Sequence, residues 1–100
     1  MIKNVNEKEF YNEIKEGKTL VDFYANWCGP CKMLSPIIHE LSEEITDIKF
    51  LKVDIDEESE LAEKYDVMSI PTIILFENGV EVKKNIGLIS KSELEKFIKE

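Results

Sequence analysis

Hydrophobic residues along the chain follow two different spacings, one typical of strands and one typical of helices. Apolar residues are nearly continuous in Thr19–Ala25, which predicts a strand covered on both faces at the centre of a sheet. Asn78-Gly79 is the dipeptide that most favours a two-residue hairpin turn. Four further segments read as strands, the last two of them joined by this turn: Ile2–Val5, Phe50–Ile55, Thr72–Phe76 and Val80–Ile86.

Helical spacing between these segments predicts four helices. Asn6 followed by Glu9 predicts a capping box at the first helix, which Gly17 ends, and Ser90 with Glu93 predicts the same box at the last. Pro36 lies inside the second helix and is expected to kink it. The residues predicted to face inward are Phe10 and Ile14, then Leu34, Ile37, Ile38, Leu41 and Ile45, then Leu61, Ala62 and Tyr65, and finally Leu94, Phe97 and Ile98.

The resulting order of elements is β-α-β-α-β-α-β-β-α, which predicts an α/β fold with a central mixed sheet and helices on both faces. A chain of 100 residues with 43% hydrophobic content has the length of one domain with one core. No repeat, linker or low-complexity segment divides it. We therefore expect a single domain over residues 1–100.

Both cysteines of the chain lie in the run Trp27-Cys28-Gly29-Pro30-Cys31, between the central strand and the second helix. On the first turn of a helix such a pair is close enough to form a disulfide, with Cys28 expected to be exposed and Cys31 partly covered. Unpaired backbone N–H groups and the helix dipole favour the thiolate of Cys28, the species that attacks disulfides. Pro30 suits a first helical turn, and Gly29 allows close approach of a partner's backbone.

Two other interpretations of the cysteine pair are less favoured. Zinc needs four ligands, and His39 lies two helical turns, roughly 12 Å, beyond Cys31. A purely structural disulfide closing so short a loop would stabilise the fold little. Thiol–disulfide exchange remains the leading hypothesis, with no metal or other cofactor expected.

Composition limits which binding partners and which cell compartment we expect. The formal net charge is −8 and the chain has no arginine, which argues against binding nucleic acid or anionic membranes. The N-terminus is polar from Lys3 onward, without the apolar core of a signal peptide, and the longest apolar run, near Ile70–Phe76, is too short to span a membrane. We expect a cytoplasmic monomer.

Several motifs together resemble the thioredoxin family over essentially the whole chain. They are Val21-Asp22-Phe23-Tyr24-Ala25 running into Trp27-Cys28-Gly29-Pro30-Cys31-Lys32, then Lys52-Val53-Asp54-Ile55-Asp56, Ile70-Pro71-Thr72, Asn78-Gly79 and Gly87. The combination is specific, whereas Cys-x-x-Cys alone would be weak. Tyr24 departs from the pattern, since many members carry a second tryptophan there.

The resemblance implies a role for each matched position. Cys28 would be the attacking nucleophile and Cys31 the resolving thiol. Asp22 would lie beneath the pair and accept the proton of Cys31, with Lys52 as its neighbour. The residues alone support part of this, because a carboxyl that interrupts an apolar central strand is costly to bury without a purpose.

The resemblance also implies a surface for client proteins. Pro71 would be cis and face the sulfurs, and the backbone of Ile70 would pair with an extended client segment. The other residues assigned to client binding are Trp27, Gly29, Pro30, Met68, Gly87 and Leu88. From the residues alone, Trp27 fits the core as well as a contact surface.

Gly29-Pro30 places no charge between the cysteines, whereas related oxidants and isomerases carry a histidine there. We therefore predict a redox-active carrier that reduces protein disulfides and is recharged by a thioredoxin reductase. Two alternatives remain open: a binding or subunit module that uses the same surface without redox turnover, and a glutathione-dependent, glutaredoxin-like activity.

Overall fold

Five strands form one mixed sheet in the order β1-β3-β2-β4-β5 in a computed structural model that describes residues 1–100. The strands are β1 (Ile2–Asn4), β2 (Lys18–Tyr24), β3 (Lys49–Asp54), β4 (Thr72–Glu77) and β5 (Val80–Ile86), and the helices are α1 (Glu7–Glu13), α2 (Gly29–Glu44), α3 (Ser59–Lys64) and α4 (Lys91–Lys99). The predicted order of elements is confirmed. Strand ends differ from the predicted ones by at most one residue, as at Val5, which lies beyond β1.

The nearly continuous apolar run forms the central strand, as predicted. β2 pairs in parallel with β3 and antiparallel with β4. Alternate residues of β2 therefore point to opposite faces of the sheet. Val21 and Phe23 face a core cluster that includes α1 and α3, whereas Leu20 faces a second cluster that includes α2 and α4. Asp22 shares the face of Leu20, the face covered by the helix that carries the cysteines.

α2 continues through Pro36 as one helix, and its buried residues include Leu34, Ile38 and Leu41. The other predicted inward-facing residues are buried or half-buried in the two clusters. At the other end of the sheet, Asn78 (φ 50°) and Gly79 (φ 87°) both have the positive φ that a type I′ hairpin requires. The Asn78 amide oxygen also accepts a hydrogen bond from Gly17 N at 2.8 Å, which ties the hairpin to the start of β2.

The two predicted capping boxes have different outcomes. At α1 the box is complete, because Asn6 Oδ1 accepts from Glu9 N and Glu9 Oε1 accepts from Asn6 N. At α4 Ser90 Oγ accepts from Glu93 N at 3.2 Å, but the Glu93 carboxylate accepts from the Ser90 hydroxyl instead of its backbone N–H. The second half of that box is therefore wrong, because the Glu93 carboxylate takes its hydrogen bond from the Ser90 hydroxyl.

Replacing Asn6 with alanine should lower the free energy of unfolding by about 1 kcal/mol, because the Glu9 N–H loses its acceptor. Chemical denaturation measures the change. Asn12→Ala is the matched control, since Asn12 is exposed within the same helix and alanine there favours the helix. Equal stability of Asn6→Ala and the parent protein would show that the box contributes nothing.

Candidate redox site

The two cysteines are placed by the junction between β2 and α2. Cys28 is the N-cap of α2 and forms a disulfide with Cys31, with their Cα atoms 5.3 Å apart. Cys28 Sγ accepts a hydrogen bond from Cys31 N at 3.2 Å, so an unpaired helical N–H points at this sulfur. Pro30 lies in the first turn, where its missing N–H costs nothing. The predicted local geometry is confirmed, and it favours a thiolate at Cys28 once the disulfide is reduced.

The predicted exposure of Cys28 is wrong for this disulfide state. Cys28 is only 5% exposed and Cys31 only 4%, so both are buried. The reason is a segment distant in sequence: the Ile70 carbonyl lies 3.8 Å from Cys28 Sγ, and Ile70, Tyr24 and Ala25 pack around the pair. Both sulfurs are therefore covered by neighbouring residues of the folded chain.

The segment facing the sulfurs has the predicted form. The Ile70–Pro71 peptide bond is cis, and Pro71 is buried. Gly87 N donates a hydrogen bond to Pro71 O at 2.8 Å, which joins the end of β5 to this segment. Gly87 has φ +97°, a conformation that side-chain-bearing residues rarely adopt.

Three large apolar side chains assigned to client binding are exposed: Trp27 by 69%, Met68 by 93% and Leu88 by 48%. Trp27 is therefore a surface residue, which decides between the two interpretations of it. Its indole Nε1 donates to Asp56 Oδ2 at 2.9 Å, so an aspartate after β3 orients the ring. Asp56 lies in one of the motifs shared with the family, but no local pattern indicates this contact, which spans 29 positions.

Asp22 is buried as predicted, with 2% of its surface exposed. Its Oδ1 atom has no hydrogen-bond partner in the protein. Burial raises the pKa of Asp22 to about 7, and the positive charge of Lys52 offsets part of that rise. A carboxyl whose pKa is near neutrality can exchange a proton under physiological conditions.

Lys52 is the cross-strand neighbour of Asp22 in the parallel β2–β3 pair. Its ammonium lies 4.3 Å above the centre of the Tyr24 ring. Tyr24, Lys52 and Cys31 all line a small cavity of about 90 Å³ on the α2 side of the sheet. Tyr24 departs from the family pattern, and no local signal in the sequence indicates its contact with Lys52.

The remaining candidate groups have no place at the site. His39 is exposed on α2, and no three His, Cys, Asp or Glu side chains are arranged to hold a metal ion. Tyr65 packs half-buried against the core cluster of α1 and α3, as predicted, and Tyr11 does the same. None of the helices combines the length and apolar character needed to cross a bilayer.

Known proteins resemble this chain in both sequence and fold. A family model described as Thioredoxin matches residues 1–100. Thioredoxin of Chlamydia trachomatis serovar D is 47% identical over 98 residues, covering 98% of this chain and 96% of that protein. Thioredoxin of Bacillus subtilis strain 168 is 43% identical over 93 residues, covering 92% and 89%.

Solved structures of thioredoxins are also similar to this chain in fold. The oxidised form of mitochondrial thioredoxin 3 from Saccharomyces cerevisiae superposes with a TM-score of 0.90 at 41% identity, covering 98% of this chain and 93% of that one. A mutant thioredoxin from Halobacterium salinarum NRC-1 gives 0.93 at 37% identity, covering 98% and 88%. With the Cys28–Cys31 disulfide at the start of α2 and a family match along its whole length, this chain belongs to the thioredoxin family.

Proposed function

We propose that the protein reduces disulfide bonds of client proteins by dithiol–disulfide exchange and is then recharged by a thioredoxin reductase. The observation that carries this proposal is the Cys28–Cys31 disulfide, formed at a helix N-terminus with Cys31 N donating to Cys28 Sγ. A sulfur in that position is stabilised as the thiolate that attacks a disulfide.

The first step begins from the reduced protein. The Cys28 thiolate attacks one sulfur of a client disulfide, the client S–S bond breaks, and the other client sulfur leaves as a thiolate. A mixed disulfide then joins Cys28 to the client. Cys28 is the better candidate for the attacking role, because its sulfur caps the helix and faces the Ile70 carbonyl of the contact surface.

In the second step the Cys31 thiol gives up its proton and its thiolate attacks Cys28 Sγ. This bond formation expels the second client thiolate and leaves Cys28–Cys31 oxidised, so two electrons have passed to the client. We assign Asp22 as the proton acceptor, since burial raises its pKa to about 7 on the face of the sheet covered by α2. Lys52 then moderates how strongly Asp22 holds the proton.

Client recognition is assigned to the surface around the sulfurs. The Ile70 backbone, held beside buried Pro71, is suited to pair with an extended client segment. Exposed Trp27, Met68 and Leu88 supply apolar contact. Gly29 and Gly87 leave room for a client backbone, since nothing lies within 4 Å of a Cβ placed at either glycine, and Pro30 is exposed beside the cysteines.

Electron flow toward clients follows from the uncharged Gly29-Pro30 dipeptide, which does not stabilise the dithiol form as a histidine would. We therefore also propose that the protein works in a reducing compartment, the cytoplasm, where a reductase can restore the dithiol. An acidic, arginine-free surface agrees with protein clients in preference to nucleic acid.

Insulin reduction with dithiothreitol as the electron source tests the proposed activity. We expect the protein to accelerate precipitation of the insulin B chain well above the rate with dithiothreitol alone. A rate equal to dithiothreitol alone would favour a non-catalytic binding module. Activity that instead depends on glutathione would favour the glutaredoxin-like alternative.

Replacing Met68 with lysine should lower kcat/KM for a protein client about fivefold, equivalent to ~1 kcal/mol, because a charge replaces apolar contact area. Val80→Lys is the matched control. Val80 is also exposed, but it lies at the opposite end of β5 from Gly87, about 20 Å along the strand. Equal losses in both variants would assign the effect to net charge.

A further inference from the structure

Lys52 is in an unusual position for a lysine beside a buried carboxyl. It is paired in register with Asp22 on β2 and with Asn4 on β1, so the three side chains form a row on one face of the sheet. Neighbouring strands are about 4.8 Å apart, so a lysine side chain easily reaches a carboxylate on the next strand. The Lys52 ammonium nevertheless lies 4.3 Å above the Tyr24 ring and forms no ion pair with Asp22.

The Tyr24 ring is fixed at both ends. Its backbone belongs to β2, two residues after Asp22 on the same face. Its hydroxyl donates to Asn4 Oδ1 of β1 at 3.1 Å. Because β3 lies between β1 and β2, the ring crosses above the strand from which Lys52 projects.

We propose that Tyr24 is a positioning residue whose ring holds the Lys52 ammonium away from the Asp22 carboxylate and keeps Asp22 able to take up a proton. The ring attracts the ammonium through a cation–π interaction, which competes with the attraction of a carboxylate that has no other partner. Without the ring, Lys52 would move toward Asp22 and hold it as the anion. The consequence for turnover rests on the proposed role of Asp22, whereas the positioning itself does not.

Other charged groups surround Tyr24 and Lys52: Lys32 lines the same small cavity, and acidic residues of α2 line a wider depression next to it. Lys52 is the one charged group that alters the pKa of Asp22. The remaining groups on the elements packed here are Lys32, His39, Glu40, Glu43 and Glu44 of α2, and Asp54 and Glu57 on the β3 side of Tyr24.

Carbon-13 NMR titration of the Asp22 carboxyl in the oxidised protein tests the proposal, because disulfide-bonded cysteines do not titrate. Tyr24→Leu should lower the midpoint of the Asp22 titration by about one pH unit or more, as expected when an ammonium moves next to a carboxylate. Tyr24→Phe retains the ring and should leave the midpoint unchanged. Tyr24→Met is the second ringless variant should leucine prevent folding.

The same substitutions in a Lys52→Met background separate two causes of a lower midpoint. Removing the ring also admits water, which would stabilise the Asp22 anion without any help from Lys52. If the ring acts through Lys52, Tyr24→Leu should no longer lower the midpoint when Lys52 is methionine. The proposal would be overturned if Tyr24→Leu lowered the Asp22 midpoint equally in both backgrounds, or did not lower it with Lys52 present. It would also be overturned if Tyr24→Phe lowered the midpoint as much as Tyr24→Leu does.

The pH profile of client reduction separates this inference from the role of Asp22. If Tyr24 positions Lys52 and Asp22 accepts the proton, the acidic limb of the pH profile in Tyr24→Leu should move to lower pH by the same amount as the Asp22 titration. In Tyr24→Phe the acidic limb should stay in place. A titration that moves while the profile does not would support the positioning of Lys52 and overturn Asp22 as the proton acceptor.

Discussion

Replacing Cys31 with serine should turn the protein into a covalent trap for its clients. The variant keeps the Cys28 thiolate and its helix N-terminus, so the first attack still forms a mixed disulfide. It lacks the thiol that resolves this intermediate, so the client stays attached. We expect catalytic turnover to be lost and client adducts to accumulate that reducing agents release.

Non-reducing electrophoresis followed by mass spectrometry measures these adducts. Cys28→Ser is the matched control, because it removes the nucleophile while leaving one cysteine of the pair in place. It should be equally inactive and form no adducts. Adducts on Cys31 in the Cys28→Ser variant, and none on Cys28 in the Cys31→Ser variant, would reverse the two assigned roles.

Replacing Asp22 with asparagine should stabilise the protein at neutral pH and slow its reduction of client disulfides. Burial raises the pKa of Asp22 from 3.8 to about 7, so the folded protein binds this proton more tightly than the unfolded chain does. Stability should therefore decline as the pH rises from about 4 to about 7 and then level off. The difference between the folded and unfolded pKa of Asp22 corresponds to roughly 4 kcal/mol of destabilisation above pH 7.

Asparagine removes this penalty but leaves a buried amide that itself lacks partners, which costs about 1–3 kcal/mol. We expect a net gain of ~2 kcal/mol in the free energy of unfolding at pH 8 that shrinks or reverses at pH 4, because there Asp22 is neutral in the folded protein and only a little over half ionised in the unfolded chain. Reduction of clients should slow by about 100-fold or more, since a positioned general base typically contributes roughly 10²–10⁴-fold.

Denaturant unfolding at pH 4 and pH 8, together with turnover rates, measures both effects. Asp47→Asn is the matched control, because Asp47 is exposed, and it should change stability by less than about 0.5 kcal/mol at either pH. An Asp22→Asn variant that is less stable than the parent at pH 8 would show that Asp22 is favourably paired. One that is as fast as the parent would show that it is no proton acceptor.

Features that depend on residues close in sequence were predictable from the chain alone. The cysteine pair at the start of α2, the first-turn position of Pro30 and the Asn78-Gly79 turn all follow from local backbone preferences. The burial of Asp22 followed from its place in an apolar run. The capping pattern at Ser90 failed in part because a carboxylate can choose between a nearby hydroxyl and a backbone N–H, and sequence spacing is the same for both.

Only the tertiary structure decided how the site is enclosed. Cys28 is buried because Ile70, 42 positions away, packs over its sulfur. Trp27 is oriented by Asp56, and Lys52 lies over Tyr24 because β3 lies between β1 and β2. The sequence by itself determined the redox pair, the buried carboxyl and the order of elements, since short-range geometry and hydrophobic spacing are sufficient for these. The exposure of the sulfurs and the surroundings of Asp22 depend on strand order and on contacts between distant segments, which no local pattern encodes.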